Sequence, residues 1–151
     1  MRIDKDTQFS DSQAVTATAI SENVIDVNHA SNALKDLGLR GQPAYLYVLC
    51  TEAFATADSV TITLESDSTA NLATSATVHF TTGAVLIAAL TAGAQVVKIQ
   101  LPEAATYERY VGLRYTIGGS NATAGKFTSF IAGNIPGWKA YANSYDNYTG
   151  R

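Results

Sequence analysis

The residues of this 151-residue chain that most readily support catalysis are its two histidines and its one cysteine. A histidine base needs a nucleophile and an orienting group within reach. His29 lies in a loop rich in Asn, Ala and Ser, and His79 lies between Val78 and Phe80 on the polar side of a predicted strand. Cys50 lies in a mostly apolar strand, where a thiol behaves as a small hydrophobic group. We therefore predict surface or interface histidines, a core cysteine and no catalytic residue.

Two loops only partly match ligand-binding motifs. Residues 65–71 carry oxygen-bearing side chains as a calcium loop does, but they lack its glycine at the sixth position and its final glutamate. Residues 118–126 are rich in glycine and end in Gly-Lys, but Phe127 follows where a phosphate-binding loop needs Ser or Thr, and a strand follows where it needs a helix. We expect a solvated loop and a mobile hairpin loop, with no metal and no cofactor.

The C-terminal tail carries regularly spaced aromatic residues. Trp138, Tyr141, Tyr145 and Tyr148 are separated by 3, 4 and 3 residues, which matches one face of a helix. The residues between them are poor helix formers, so an extended tail fits equally well. Trp and Tyr are enriched at protein interfaces because they combine apolar area with a polar tip. A partner surface, a cover on the chain's own sandwich and a carbohydrate platform all stay open.

Composition excludes several classes of protein. Charged residues make up 15% of the chain, below the usual quarter, and the net charge is -3, which argues against a nucleic-acid partner. One cysteine cannot form an intramolecular disulfide. No apolar run approaches the ~18 residues of a membrane span, and no apolar stretch follows the charged start of the chain as in a secretory signal. We expect no membrane partner and no secretion.

The elements that must position these residues are β-strands. Eight stretches are typical of strands, and in most of them apolar residues alternate with polar ones such as threonine: 15–19, 24–27, 44–50, 58–65, 76–80, 95–101, 107–117 and 126–132. The stretch 44–50 is apolar on both faces and predicts a central strand that is covered on both sides. Residues 84–90 fit a short helix or a packed loop.

This pattern predicts an all-β fold: a single antiparallel β-sandwich of jelly-roll type with about eight strands. We divide the chain into an extended arm at 1–12, a sandwich domain at 13–136 and an aromatic tail at 137–151. The strand order cannot be predicted from the pattern.

Several stretches carry a resemblance to a known family. The opening residues 1–6, then 9–16, 35–38, 80–83, 101–103, 107–115 and the aromatic tail together resemble the jelly-roll capsid cement (decoration) proteins of tailed bacteriophages. The resemblance extends over nearly the whole chain. It implies a structural protein without enzymatic activity or cofactor, which binds the outside of an icosahedral head, bridges major capsid proteins and stabilises the shell. It also implies contact with other copies of the chain, most simply as a dimer, and synthesis in the host cytoplasm.

Under this resemblance the two ends of the chain supply the partner contacts. The candidate residues are Arg2, Ile3, Asp4, Lys5, Phe9, Trp138, Tyr141, Tyr145 and Tyr148. Three alternatives remain: a receptor- or glycan-binding domain of a phage fibre, a structural protein of the tail tube or neck, and a polysaccharide-degrading enzyme. The last would need a pair of carboxylates brought together by the fold.

Overall fold

Alternating threonine and aliphatic residues give strands with one solvent-exposed face and one buried face, and these strands make up most of the described structure. The computed structural model of the chain describes residues 5–27, 43–73, 75–102 and 106–133. Nine strands lie within these ranges: β1 (Gln8–Ala14), β2 (Ala19–Ile20), β3 (Ile25–Asp26), β4 (Tyr45–Ala55), β5 (Ser59–Asp67), β6 (Thr77–Leu86), β7 (Gln95–Gln100), β8 (Tyr110–Gly118) and β9 (Ala124–Ala132). Two short 3₁₀ helices, Lys5–Thr7 and Ile87–Ala89, complete the described elements.

The strands form two antiparallel sheets. Sheet 1 has the order β1-β9-β4-β7, and sheet 2 has the order β2-β8-β5-β6. β3 also pairs with β8, next to the stretch that pairs with β2, so that β2 and β3 form one interrupted edge strand. Eight strand positions in two four-stranded sheets, with the chain repeatedly crossing between them, are the arrangement of a jelly roll. The predicted all-β sandwich is confirmed.

The core lies between the two sheets. Its largest contributions come from inward-facing residues of β4, β5, β8 and β9: Leu46, Val48, Cys50, Val60, Ile62, Leu64, Val111, Leu113, Tyr115 and Phe127. Burial of Cys50 confirms the prediction of a core thiol, and burial also raises its pKa. β4 lies between β9 and β7, as predicted for a strand that is apolar on both faces.

A polar network crosses this core. The hydroxyl of Tyr115 in sheet 2 lies 2.8 Å from the Oγ atoms of both Ser10 and Ser129 in sheet 1. Ser10 donates to Oε1 of Gln13 at 2.7 Å. Burial raises the pKa of Tyr115 to about 12, so its hydroxyl stays protonated and hydrogen-bonded. The network ties β1 and β9 to β8.

The first strand begins earlier than the sequence pattern predicts. β1 starts at Gln8, inside the segment predicted as an arm, and most of the predicted strand 15–19 is the connection to β2. The hydrophobic alternation failed here because the inward positions of β1 include Ser10 and Gln13, and because register shifts interrupt its pairing with β9. Phe9 therefore enters the core.

Two further predictions about connections are corrected. Residues 84–86 extend β6 and are followed by one 3₁₀ turn, where a short helix or a packed loop was expected across 84–90. The glycine-rich stretch after β8 is not a hairpin, because β8 belongs to sheet 2 and β9 to sheet 1. Hydrogen bonds fix its backbone to two neighbouring segments. The amide of Ala122 donates to the carbonyl of Thr16 at 2.9 Å, and the amide of Thr123 donates to the carbonyl of Ala55 at 3.1 Å.

Candidate partner-binding end of the sandwich

The strand registers bring the start of β1 and the end of β9 to one end of the sandwich. β1 begins with Gln8, which pairs with Phe130, and β9 ends with Ala132, which pairs with Tyr45 at the start of β4. The segments before β1 and after β9 are therefore attached beside the first residue of β4. We call this the terminal end.

Sheet 2 contributes its own connections to the same end. The β4–β5 turn contains only residues 56–58, so β5 runs back along β4 and finishes level with the start of that strand. There Asp67 pairs with Tyr110, which in turn pairs with Asp26. The connections after β3, β5 and β7 thus also start at the terminal end and finish there, at the first residues of β4, β6 and β8. Among the described residues, the opposite end, which we call the short-loop end, holds the connections 15–18, 56–58, 87–94 and 119–123.

A charged and aromatic group lies at the terminal end. The guanidinium of Arg109 makes two hydrogen bonds to the carboxylate of Asp26, at 3.1 and 2.9 Å, and lies 5.0 Å from the centre of the Tyr110 ring. The hydrogen bond to Asp26 raises the pKa of Arg109. Half of the Arg109 side chain is exposed, so a partner protein can contact it.

His79 belongs to a second polar group at this end. Its Nε2 lies 2.7 Å from the Oγ of Ser66, and its ring centre lies 4.3 Å from that of Tyr107. The backbone amide of Glu108 donates to the same Oγ at 3.0 Å, while the Glu108 carboxylate accepts a hydrogen bond from Thr77 at 3.1 Å. His79 is half-buried, which makes it more enclosed than the surface position predicted from the sequence.

This group has the residue types of a serine–histidine–acid site but the geometry of a structural contact. Ser66 is fully buried, so a substrate cannot reach its Oγ. Burial lowers the pKa of His79, and the charge of Glu108 opposes that shift. A neutral imidazole that hydrogen-bonds Ser66 joins β6 to β5, and the amide of Glu108 adds the segment before β8.

The outer face of sheet 1 is unexpectedly apolar near the terminal end. Phe130 alternates with the inward-facing Ser129 and Ile131, so its ring points away from the core, yet only 2% of the residue is exposed. Its ring centre lies 5.1 Å from that of Tyr47 on β4. Sequence reasoning missed this pair, although the apolar residues on both faces of 44–50 were the signal.

Residues 65–67 form the buried end of β5, so the solvated loop expected over 65–71 begins only at Ser68, after the strand. Glu65 is 4% exposed, and both of its carboxylate oxygens accept hydrogen bonds from Nε of Arg114, at 3.1 and 2.9 Å. Asp67 accepts hydrogen bonds from the side chain of Ser68 and the backbone amide of Thr69, which closes the turn after β5. Among the described residues, no group of three or more His, Cys, Asp or Glu residues could hold a metal ion.

Of the candidate contact residues, the structure places two. Lys5 is exposed in the 3₁₀ helix at the terminal end, where a partner can reach it. Phe9 is 0% exposed and packs in the core, so the prediction that it contacts a partner is wrong. Its burial follows from β1 joining sheet 1 beside β9. Arg2, Ile3, Asp4, Trp138, Tyr141, Tyr145 and Tyr148 lie outside the described residues, as does His29.

Comparison with known proteins gives one match. A protein-family model described as Bbp16 matches residues 9–131. The matched span begins in β1 and ends in β9, so it includes nearly all of both sheets. No curated protein matches the chain. Within the part of the chain that the structure describes, no helix has the length and apolar character needed to cross a membrane.

Proposed function

The chain belongs to the Bbp16 family, and on that premise we propose that it is a capsid cement protein. It binds the outside of the icosahedral head of a tailed bacteriophage, bridges neighbouring major capsid proteins and stabilises the shell. It is made in the host cytoplasm and acts in the virion. The proposal rests on the resemblance of the sequence to such proteins and on the fact that β1 begins and β9 ends at the same end of the sandwich.

One observation carries the proposal: both terminal segments are attached at one end of the sandwich, away from the short-loop end. A protein that is fixed to a surface by its terminal segments needs both of them on the same side of its body. Here β1 begins and β9 ends beside Tyr45, and the tail with its four aromatic residues follows directly. Exposed Lys5 and the Arg109–Asp26 pair lie at the same end and supply charged contacts at the rim.

The binding mechanism combines weak contacts over many copies. Extended terminal segments add a strand to a neighbour's sheet or lay aromatic rings on its surface. Each contact is modest, but the many copies on one shell make the attachment effectively tight through multivalency. The two tied sheets act as a rigid block between neighbouring capsid proteins.

The first test is the copy number of the chain in purified particles, measured by quantitative mass spectrometry. A copy number equal to that of the major capsid protein, or a simple fraction of it, is expected. A handful of copies would instead favour a receptor- or glycan-binding fibre domain or a neck component, and complete absence from particles would refute the proposal.

A second test addresses the tail. The quadruple variant Trp138→Ser, Tyr141→Ser, Tyr145→Ser and Tyr148→Ser keeps the length of the chain and removes the aromatic contacts. We expect it to fold but to decorate heads that lack the protein at least about tenfold more weakly, which corresponds to ~1.4 kcal/mol. The matched control, Ala92→Lys, changes an exposed residue at the short-loop end and should decorate normally. Normal decoration by the quadruple variant would contradict the role of the tail.

A further inference from the structure

The outer edge of sheet 2 is the strand β6, and it lacks the charged residues and prolines that commonly protect an edge against pairing. In the described part of the chain β6 pairs with β5 on one side and is the last strand on the other. Its ten residues include no Lys, Arg, Asp, Glu or Pro. Natural edge strands commonly use such residues to prevent another strand from adding to them. Other edge strands here do carry charge: Asp11 on β1, Asp26 on β3 and Lys98 on β7.

The same strand carries the two large hydrophobic residues that stand out as exposed in the described structure. Val78 is 52% exposed and Leu86 is 64% exposed. Val78 pairs with Glu65 and Leu86 with Ser59, at the two ends of β5. Because Val60, Ile62 and Leu64 face inward, Glu65 and Ser59 face outward, and directly opposed residues share a face of a sheet. Val78 and Leu86 therefore lie on the outer face of sheet 2, near opposite ends of its edge.

We propose that β6 pairs in antiparallel fashion with β6 of a second copy of this chain, about a two-fold axis between Thr82 and Gly83. This inference rests on the proposed function, and it assigns a surface to the contact between copies that the family resemblance implies. The axis places Thr81 opposite the partner's Ala84 and Phe80 opposite the partner's Val85. One extra residue at His79, where the register with β5 shifts, then brings Val78 opposite the partner's Leu86.

The side chains on each face agree with this register. Val78, Thr81, Ala84 and Leu86 pair with outward-facing residues of β5, whereas Phe80 and Val85 pair with the inward-facing Leu64 and Val60. In each predicted contact the two opposed residues therefore lie on the same face of the sheet. The exposed side chain of Val78 covers that of the partner's Leu86, and the reverse contact forms on the other side of the axis.

Charge favours a second copy over an unrelated strand. Two-fold pairing brings the middle of an edge against itself and each end against the other end, so like charges at the middle or at both ends would repel each other. The complete absence of charge on β6 removes that penalty. A strand from another protein would be selected by complementary charge or pockets, and this edge offers no charge to select it.

The bulge at Gly83 limits where the pairing forms. The Gly83 amide donates to Oγ1 of Thr81 at 3.2 Å, and Oγ1 of Thr82 donates to the Gly83 carbonyl at 2.7 Å. These backbone groups are satisfied within β6. Inter-copy hydrogen bonds therefore come from the two flanking stretches, 77–81 of one copy with 84–86 of the other, once on each side of the axis.

Cysteine cross-linking tests this register. Cys50 is the chain's one cysteine and is fully buried, so introduced thiols react without interference. We expect a mixture of Val78→Cys and Leu86→Cys chains to form a disulfide dimer on mild oxidation. Either variant alone should form little, because identical positions lie roughly 20 Å apart along the paired strands, the length of the six-residue step from Ser59 to Glu65 on β5. Absence of cross-linking in the mixture, or equal cross-linking in each variant alone, would overturn the proposed register.

Sedimentation of the full-length protein gives a second measurement. Val78→Lys should weaken dimerisation by about tenfold or more, whereas Ala92→Lys adds the same charge away from the edge and should leave it unchanged. A wild-type chain that stays monomeric at all concentrations would refute the pairing. These results separate the two proposals: normal head decoration without cross-linking overturns the edge pairing alone, and cross-linking with no copies in particles overturns the cement function alone.

Discussion

The hydroxyl of Tyr115 and the Oγ of Ser129 lie 2.8 Å apart in the fully buried space between the two sheets. Tyr115 comes from β8 of sheet 2 and Ser129 from β9 of sheet 1, so this hydrogen bond joins the halves of the sandwich directly. The two strands are consecutive in the sequence, and the glycine-rich connection between them crosses from one sheet to the other.

Removing that hydroxyl should destabilise the protein. Tyr115→Phe keeps the ring but leaves the hydroxyls of Ser10 and Ser129 without their shared partner in the core. We expect the free energy of unfolding to fall by about 1–3 kcal/mol, as measured by urea denaturation. Tyr45→Phe, a half-buried residue on the outer face of sheet 1, is the matched control and should change it little. Equal losses in the two variants would contradict a special role for the network.

Gly125 should tolerate no side chain. Its φ is +136°, and a Cβ at this position would overlap the ring of Phe54. We expect Gly125→Ala to lower the unfolding free energy by about 1–3 kcal/mol through strain and displacement of the ring. Gly133→Ala is the control, since nothing lies within 4 Å of a Cβ there. If Phe54→Leu does not partly rescue Gly125→Ala, the overlap with the ring is not the cause.

The buried pair of Glu65 and Arg114 should contribute more to stability than the exposed pair of Glu52 and Lys126. The Glu65 side chain is 6% exposed, so Glu65→Gln removes a charge from a buried contact and leaves Arg114 poorly paired. We expect a loss of about 2 kcal/mol in unfolding free energy. Both side chains of the Glu52–Lys126 pair are more than 40% exposed, so Glu52→Gln should cost less than about 1 kcal/mol. The two variants are compared by urea denaturation at one pH and salt concentration. A loss for Glu52→Gln as large as that for Glu65→Gln would contradict the prediction.

Stability should fall in mildly acidic solution because of His79. Its pKa in the folded protein is lowered, mainly by burial, from the ordinary value of 6.5. The unfolded chain therefore binds a proton before the folded chain does, and the unfolding free energy decreases as the pH falls through about 6.5. Above that pH both states are neutral at this residue and the effect is absent. His79→Gln should flatten the change between about pH 7.5 and 5.5; an unchanged profile would show that other groups cause it.

Local pattern predicted the strands whose inward residues are aliphatic. β5 and β8 alternate regularly because each second residue faces a hydrophobic core, and both were located from the sequence. β1 was missed because Ser10 and Gln13 face inward. Ser10 forms hydrogen bonds with Gln13 and with Tyr115, which is far away in the sequence, and Gln13 also donates to the backbone carbonyl of Ile20. A Gly-Gly-Ser turn signal is also the same for a hairpin and for a crossover between sheets, so the crossover after β8 could not be distinguished.

The candidate partner-binding end depends on strand order, which is a property of the whole fold. The sequence indicated that the two ends of the chain matter, but Phe9 shows that position near a terminus does not make a residue available to a partner. It is the pairing of β1 and β4 with β9 that brings the start of β1 close to the end of β9. In the same way, the exposure of Val78 and Leu86 became visible once β6 was known to be an edge strand.

The division into a terminal end and a short-loop end makes the molecule suitable as a display scaffold with a fixed polarity. Strands of nine to eleven residues separate the two ends by roughly 30 Å. Under the proposed function, a peptide grafted at the exposed Ala92, in the turn before β7, would project from the end opposite the one that faces the capsid. A fusion before β1 or after β9 would instead be attached at the capsid-facing end. The short-loop end is then the site for presenting foreign sequences in many outward-facing copies.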